Sequence, residues 1–229
     1  MICYAKLDIE VPVIKLQEEI KQLLKSDDWR PHYNQKHYDG DWNVLPLRTP
    51  GGDITKPFAE LMNDNIFIDT LFMRLLPSTQ KVLETFHCEK LSVRLLNLKA
   101  GAIIKEHRDF ELAFEHGEAR LHIPVFTNKK VEFYVDGDLV TMNEGECWYI
   151  NANLPHRVAN KGASDRIHLV IDCKVNDWLK EVLETSEKKC RDEVQDKDLQ
   201  QNIIQNLRMH GTEASNILAD KMERELNEQ

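Results

Sequence analysis

Two histidines and one aspartate of this chain form a candidate set of metal ligands. His107 and Asp109 are separated by one residue, and His156 follows Pro155 much further along the chain. On an extended segment, residues two apart project to the same side, so His107 and Asp109 can bind one ion together. Two imidazoles and one carboxylate on one face of a metal form the facial triad of non-haem iron(II) oxygenases. His156, at the predicted start of a strand, is the candidate third ligand.

Arg166 adds a fourth element, because it lies ten residues after His156 in another predicted strand. A 2-oxo acid that chelates a metal extends its second carboxylate away from the ion. A guanidinium can hold that carboxylate with two parallel hydrogen bonds. With nine histidines in 229 residues, a single HxD pair can arise by chance. The HxD pair, the distal histidine and the arginine together are a more specific pattern.

The segment that must position these residues is dense in short strands. Alternating side chains and turn residues predict strands at 90–98, 102–106, 119–126, 130–135, 139–142, 146–150, 157–160 and 166–173. Asp136-Gly137, between two of them, is a hairpin turn signal. About eight short strands joined by turns predict a mainly β protein with a double-stranded β-helix, a jelly-roll or cupin-like barrel.

Two of these strands separate polar from apolar side chains. In the strand at 119–126, Arg120 and His122 lie on one face, and the other face carries Leu121, Ile123 and Val125. The strand that begins at Arg166 has a similar division. We expect the apolar face to pack under the N-terminal helices and the polar face to line the mouth of the barrel. The alternative is that the polar face points to water.

Helices are predicted on both sides of the strands, at 13–25, 56–63, 78–86, 176–184, 196–208 and 213–226. With 41% hydrophobic residues in 229, the chain can form one substantial core. We predict one catalytic domain at 1–185, with covering helices at 1–89, the barrel at 90–173 and a following helix at 174–185. Residues 186–229 form a helical extension that packs on the barrel, covers its mouth or joins two subunits as a homodimer.

Composition excludes several classes of partner. A net charge of −9 disfavours a nucleic acid, because phosphate binding needs clustered Lys and Arg. The five cysteines are odd in number and include no CxxC pair, so neither a disulfide framework nor a structural zinc site is indicated. No signal peptide and no run of about 18 apolar residues is visible. We therefore expect a cytoplasmic protein without a membrane partner.

Five motifs carry a family resemblance: GAIIKEHRD at 101–109, RLHIP at 120–124, GECWYIN at 145–151, LPHRV at 154–158 and DRIHL at 165–169. The chain resembles the aspartyl/asparaginyl β-hydroxylase family of Fe(II)/2-oxoglutarate oxygenases. That family includes bacterial hydroxylases of free amino acids, such as proline hydroxylases, and peptide-aspartyl hydroxylases. The resemblance covers residues 90–173, and residues 42–52 are similar to an upstream segment of the family.

The resemblance implies roles for six residues. It implies that the iron ligands are His107, Asp109 and His156, that Arg166 binds the distal carboxylate of 2-oxoglutarate, and that Arg120 and His122 lie near this co-substrate. It also implies hydroxylation of an unactivated C–H bond with O2, in an amino acid or an aspartyl/asparaginyl-type peptide residue, while 2-oxoglutarate is converted to succinate and CO2. The vertebrate peptide hydroxylase lacks the carboxylate ligand, so Asp109 indicates the bacterial branch.

The substrate is less well indicated. In the family-like arrangement, Trp42, Arg48 and Arg157 are candidate substrate contacts, because an arginine there can bind a substrate carboxylate. Arg48 can equally be an exposed or ion-paired strand end. A second candidate class is a cupin-type metalloprotein that is not an oxygenase, for example an isomerase or a sensor of a small ligand. Such a protein would not need Arg166, and cupins usually carry HxH where Asp109 stands.

Overall fold

The structure is a computed structural model that describes residues 1–55, 66–109, 112–191, 204–205, 207–209 and 213–227. The chain divides into two compact units. One is Ile2–Cys190, and the other consists of Met1 and Arg191–Gln229. The predicted domain boundary lies at residue 185, five residues before the end of the first unit.

The first unit consists mainly of strands. They are β1 (Ile2–Leu7), β2 (Arg30–Pro31), β3 (Tyr38–Asp39), β4 (Trp42–Pro50), β5 (Phe67–Asp69), β6 (Lys90–Leu98), β7 (Ile103–His107), β8 (Glu118–Phe126), β9 (Val131–Val135), β10 (Asp138–Leu139), β11 (Cys147–Ile150), β12 (His156–Asn160), β13 (Arg166–Lys174) and β14 (Glu187–Cys190). The α-helices of this unit are α1 (Val13–Leu23), α2 (Pro77–Glu84) and α3 (Asp177–Thr185), and short 3-10 helices lie at Gln35–His37, Met73–Leu75 and Phe114–His116.

The strands form two antiparallel sheets. The larger sheet has the order β14-β1-β11-β8-β13-β6-β4-β2, with β5 paired to β4, and the smaller has the order β10-β9-β12-β7-β3. From β6 to β13 the chain passes repeatedly between the sheets, so that β6, β8, β11 and β13 are neighbours in one, and β7, β9, β10 and β12 in the other. This order is that of a double-stranded β-helix and confirms the predicted fold class. The predicted strand at 139–142 is confirmed only in part, because β10 ends at Leu139.

The main core lies on the outer face of the larger sheet. Leu121, Ile123 and Val125 of β8 are fully buried in one cluster with Leu16 and Ile20 of α1. These α1 residues recur at helical spacing, which places them on the face of the helix that packs against the sheet. The predicted packing of the apolar face under an N-terminal helix is confirmed.

The inner face of the same sheet is polar and buried. Arg166 is 1% exposed, and His122, His168, Arg94 and Asp172 are also buried. These side chains point between the two sheets, since residues two apart along a strand share a face. The alternative in which the polar face points to water is therefore wrong.

Other helix predictions have different outcomes. The helix at 78–86 is confirmed as α2, and that at 176–184 as α3, which Asn176 caps by accepting a hydrogen bond from the Leu179 N–H at 3.1 Å. The helix predicted at 56–63 lies outside the described residues, as does most of the one at 196–208. In the second unit, α4 (Glu213–Asn227) confirms the last predicted helix. None of the helices in the described ranges is long and apolar enough to cross a bilayer.

The strand at the end of the first unit was not predicted. Residues 187–190, which the sequence analysis assigned to the helical extension, form β14 and pair with β1. All four residues of β14 are exposed, so their composition carries no alternation that would indicate a strand. The first unit therefore extends its larger sheet beyond the predicted boundary.

Candidate metal centre

Two paired strands of the smaller sheet bring the predicted histidines together. His107 ends β7 and His156 begins β12, and the two are register partners with ring centres 4.2 Å apart. Asp109 lies two residues after His107, where its backbone N–H donates to the Ala152 carbonyl at 2.9 Å. One ligand atom from each of the three side chains lies within 4.8 Å of the other two. The three residues can therefore bind one metal ion.

Hydrogen bonds to the backbone prepare both imidazoles for a metal. The Nδ1 atom of His107 lies 2.8 Å from the Lys105 carbonyl oxygen, and that of His156 lies 2.9 Å from the Leu154 carbonyl oxygen. Because a carbonyl only accepts, each Nδ1 must carry the proton, which leaves Nε2 as the ligand atom. Burial, followed by the neighbouring His107, lowers the pKa of His156 to about 4. His156 is therefore neutral at pH 7, the form that binds metals.

Asp109 is held as a carboxylate. Burial raises its pKa, but Arg120 and the two histidines outweigh burial and bring the pKa below its ordinary value. The Nη1 atom of Arg120 donates to Oδ2 of Asp109. The other oxygen, Oδ1, lies 3.9 Å from Nε2 of His107. Arg120 thus binds one carboxylate oxygen and leaves the other on the side of the imidazoles.

Arg120 belongs to a series of alternating charges that we call the ion chain: Asp109 and Arg120, which are half-buried, and Asp172 and Arg94, which are buried. The Nε atom of Arg120 donates to Oδ1 of Asp172 at 2.7 Å, and Nη1 of Arg94 donates to Oδ2 of Asp172 at 2.8 Å. Burial raises the pKa of Asp172, but Arg120 and Arg94 outweigh it and hold the pKa well below its ordinary value. Burial lowers the pKa of Arg120, but Asp172 and Asp109 outweigh burial and raise it above its ordinary value, whereas burial lowers the pKa of Arg94. Arg120 and Asp172 therefore stabilise each other in the charged form.

Sequence reasoning missed Arg94 and Asp172. Each is a charged residue in the interior of a strand of mostly apolar residues, KLSVRLLNL and RIHLVIDCK. A charge inside such a strand must have a partner if it is buried. This rule could have indicated that Arg94 and Asp172 pair with other residues. It does not say which residues those partners are.

An inner cavity of about 40 Å³ extends from the triad to Arg166, and Arg120 and His122 also line it. Arg166 donates from Nη2 to Nδ1 of His168 at 2.8 Å, and its guanidinium lies 5.5 Å from the ring centre of Phe133. Among the described residues no carboxylate pairs with Arg166, and its buried Nε has no hydrogen-bond partner. Burial lowers the pKa of Arg166 to about 9, so it remains a cation at pH 7.

A larger cavity of about 450 Å³, which we call the outer cavity, is also lined by His107 and Asp109 of the triad. Aromatic rings form much of its wall: His32, Tyr33, His37, Trp42 and Phe67. The rings of His32 and Trp42 are stacked, with centres 3.5 Å apart. Arg94, Arg120 and Asp172 of the ion chain line the same cavity. Its size is that of a typical small-molecule site.

The three predicted substrate contacts have different positions. Trp42 lines both cavities, whereas Arg48 and Arg157 are not among the described residues that line either one. Arg48 pairs with Asp69 at 2.6 Å, and Arg157 stacks over the ring of Tyr134. The ion pair of Arg48 agrees with the alternative interpretation of this residue as an ion-paired strand end. A substrate role for these two arginines stays a prediction.

Comparison with known proteins identifies the family. A family model described as aspartyl/asparaginyl β-hydroxylase matches residues 12–175, most of the chain. The chain therefore belongs to this family, and the resemblance noted in its motifs is confirmed. Fe(II) and 2-oxoglutarate are the metal and co-substrate that membership implies, and the arrangement of His107, Asp109 and His156 is consistent with them.

The individual proteins that resemble this chain have low sequence identity to it. L-proline cis-4-hydroxylase from Rhizobium meliloti (strain 1021) is 27% identical over 135 residues, which are 58% of this chain and 48% of the relative. The match thus spans about half the length of that protein. Among solved structures, an oxidoreductase of the 2OG-Fe(II) oxygenase family from Burkholderia pseudomallei has a TM-score of 0.48 at 13% identity, covering 69% of this chain and 77% of its own. A Pseudomonas putida prolyl-4-hydroxylase has a TM-score of 0.47 at 10% identity, covering 77% and 94%.

Proposed function

We propose that this protein is an Fe(II)/2-oxoglutarate-dependent dioxygenase that hydroxylates an unactivated C–H bond of an amino acid or of an aspartyl/asparaginyl-type residue in a peptide. In this proposal His107, Asp109 and His156 bind iron, and Arg166 binds the distal carboxylate of 2-oxoglutarate. The observation that supports it most strongly is the buried Arg166 cation, which has no acidic partner among the described residues and lines the inner cavity together with the triad.

Arg166 separates this proposal from the cupin-type alternative. A metal site for isomerisation or ligand sensing needs the three metal ligands. It does not need a buried arginine such as Arg166 beside them. A cation removed from water is costly unless an anion compensates it. A 2-oxo acid bound at the triad would place its other carboxylate towards Arg166. The co-substrate of an oxygenase would therefore supply the acidic partner that the described residues do not provide.

Iron(II), when bound with 2-oxoglutarate and O2, would supply the oxidation, in which one oxygen atom enters the substrate C–H bond and the other enters succinate as CO2 is released. The chain's own residues bind and orient the reactants. The backbone carbonyls of Lys105 and Leu154 fix the two imidazoles, and Arg120 fixes the Asp109 carboxylate. Phe133 and Ile150 contribute apolar walls to the inner cavity.

The test is an anaerobic titration of the purified protein with Fe(II) and 2-oxoglutarate. A chelate of this type absorbs visible light by metal-to-ligand charge transfer. Admission of O2 should then produce succinate, and mass spectrometry should detect a product that has gained one oxygen atom. Lack of both the absorption band and succinate would contradict the proposal.

Substrate candidates follow from the family and its relatives. The similarity to L-proline cis-4-hydroxylase makes free L-proline the first candidate, followed by the other amino acids and by peptides that contain Asp or Asn. The outer cavity has room for any of these small groups.

A further inference from the structure

A buried histidine holds the guanidinium of Arg166. Nη2 of Arg166 lies 2.8 Å from Nδ1 of His168, and the two residues are 1% and 2% exposed. They are two residues apart on β13, so both side chains lie on the inner face of the larger sheet. Because a guanidinium only donates hydrogen bonds, Nδ1 of His168 must be the acceptor. His168 is therefore neutral and carries its ring proton on Nε2.

This neutral contact differs from the way in which the neighbouring Arg120 is held. Arg120 donates to the carboxylates of Asp109 and Asp172, which compensate its charge. Arg166 donates to an uncharged nitrogen, and burial, followed by Arg166 itself and by His122, keeps the pKa of His168 well below its ordinary value. One N–H of the buried guanidinium is thus satisfied while its charge stays available to an anion.

His168 lies behind the wall of the inner cavity. Arg166 and His122 line that cavity, whereas His168 is not among the described residues that line either cavity. Nδ1 of His122 lies 3.4 Å from Nδ1 of His168, and the two rings meet edge to face with centres 5.6 Å apart. His168 therefore contacts two residues of the wall and acts on the contents of the cavity only through them.

We infer, building on the proposed function, that His168 is a positioning residue, whose Nδ1 lone pair fixes the guanidinium of Arg166 in the orientation that binds the distal carboxylate of 2-oxoglutarate. An arginine side chain rotates about several bonds, and holding one Nη atom removes part of this freedom before the anion binds. A carboxylate at position 168 would also orient the guanidinium, but it would neutralise Arg166 and compete with the co-substrate. The position therefore requires an uncharged acceptor.

The first experiment determines the tautomer of His168 in the metal-free protein. Nitrogen-15 NMR of the histidine-labelled chain distinguishes the two neutral forms of an imidazole by their two-bond couplings. The signal of His168 is assigned by its absence from His168→Asn. We expect a proton on Nε2 and none on Nδ1 at pH 7. A proton on Nδ1 would exclude the contact with Arg166 and overturn the inference.

The second experiment measures 2-oxoglutarate binding by isothermal titration calorimetry, with Mn(II) in the site so that no turnover occurs. His168→Leu removes the acceptor and should weaken binding by roughly tenfold. His168→Asn places Oδ1 near the position of Nδ1 and should bind within about threefold of the parent protein. His168→Asp supplies a competing carboxylate and should weaken binding by roughly 100-fold or more.

Two controls identify effects on the fold or on the metal site. His87→Leu is the matched substitution at an exposed histidine, whose ring contacts Trp178, and it should leave binding unchanged. The affinity for Mn(II) should be the same in all three variants at position 168, because His168 is not one of the candidate ligands. If His168→Leu does not fold, the tautomer and the comparison of the Asn and Asp variants still decide.

The outcomes separate this inference from the proposed function. If 2-oxoglutarate does not bind to the Mn(II)-loaded parent, the proposed function fails, and the inference that rests on it fails too. If it binds to the parent and equally well to His168→Leu, or if His168→Asn is as weak as His168→Leu, His168 does not position Arg166 and the oxygenase assignment stands. Equal binding by the Asn and Asp variants would likewise overturn the need for an uncharged acceptor.

Discussion

No acidic side chain among the described residues neutralises the charge of Arg166. Replacing a buried charge with a well-packed apolar side chain is often neutral or stabilising by about 1–4 kcal/mol. We therefore expect Arg166→Met to raise the melting temperature of the metal-free protein and to raise the KM for 2-oxoglutarate by roughly 100-fold. Calorimetry and steady-state kinetics measure the two effects. Arg74→Met is the control at an exposed arginine. An unchanged KM would mean that Arg166 does not bind the co-substrate.

Substitution of a candidate metal ligand has a different expected effect. Asp109→Ala and His156→Ala each remove one of three ligands, so we expect Mn(II) binding to fall and succinate formation to be lost. Metal binding is measured by electron paramagnetic resonance of free Mn(II), and succinate by chromatography. Asp27→Ala, at an exposed position far from the triad in sequence, serves as the control. Wild-type turnover in either triad variant would exclude that residue as a ligand.

At the scale of elements, the turn between β3 and β4 depends on a glycine. Gly40 has φ of +81°, and a Cβ there would lie 2.9 Å from the Cβ of Ala102. Gly40→Ala should therefore lower the free energy of unfolding by about 1–3 kcal/mol, measured by urea denaturation. Gly137→Ala is the matched control, since Gly137 has φ of +85° but no atom within 4 Å of the added Cβ. Equal destabilisation of both variants would show that the contact with Ala102 is unimportant.

Glu146, before β11, forms an ion pair with Lys6 of β1 at 2.6 Å. Burial raises its pKa, but hydrogen bonds from Lys6 and Asn143 outweigh burial and lower the pKa from 4.5 to about 2. A depressed carboxyl pKa stabilises the fold above the unfolded pKa, and this stabilisation is lost as pH falls from about 4.5 through 2. The melting temperature of Glu146→Gln should therefore lie below that of the parent at pH 6, and the difference should shrink below pH 4. A difference that is constant with pH would contradict this assignment.

At the scale of the whole molecule, all of the site residues belong to the unit Ile2–Cys190. Mn(II) and 2-oxoglutarate at 100 times their dissociation constants should stabilise the folded chain by about 2.7 kcal/mol each. This corresponds to a melting temperature higher by roughly 5–10 °C per ligand in a unit of this size. Differential scanning fluorimetry measures the shift, and Arg166→Met should lose the part due to 2-oxoglutarate.

The role of the C-terminal residues is a second prediction at this scale. A chain that ends at Cys190 should keep Mn(II) and 2-oxoglutarate binding, because it keeps both cavities. If the C-terminal helices join two subunits, the full chain should elute from size exclusion as a dimer and the shortened chain as a monomer. Identical association states of the two chains would remove the homodimer from consideration.

The sequence by itself determined the barrel and the three candidate ligands. Strand alternation has a period of two residues, so it is visible locally, and it correctly separated Arg120 and His122 from the apolar face of β8. The prediction that His107 and Asp109 bind one ion likewise depends only on a local feature, the extended backbone between them. Strand ends were less well predicted, since β10 is shorter than expected and β14 has no alternation.

Only the tertiary structure decided which charges meet. Arg94 and Asp172 are separated by 78 positions, and their contact depends on the order of β6 and β13 in the larger sheet. The same order leaves Arg166 buried without an acidic partner in the described residues, while Arg48 pairs with Asp69. Pairing between distant strands is set by the whole topology, and no local pattern encodes it. The ion chain beside the candidate metal centre is therefore a property of the fold.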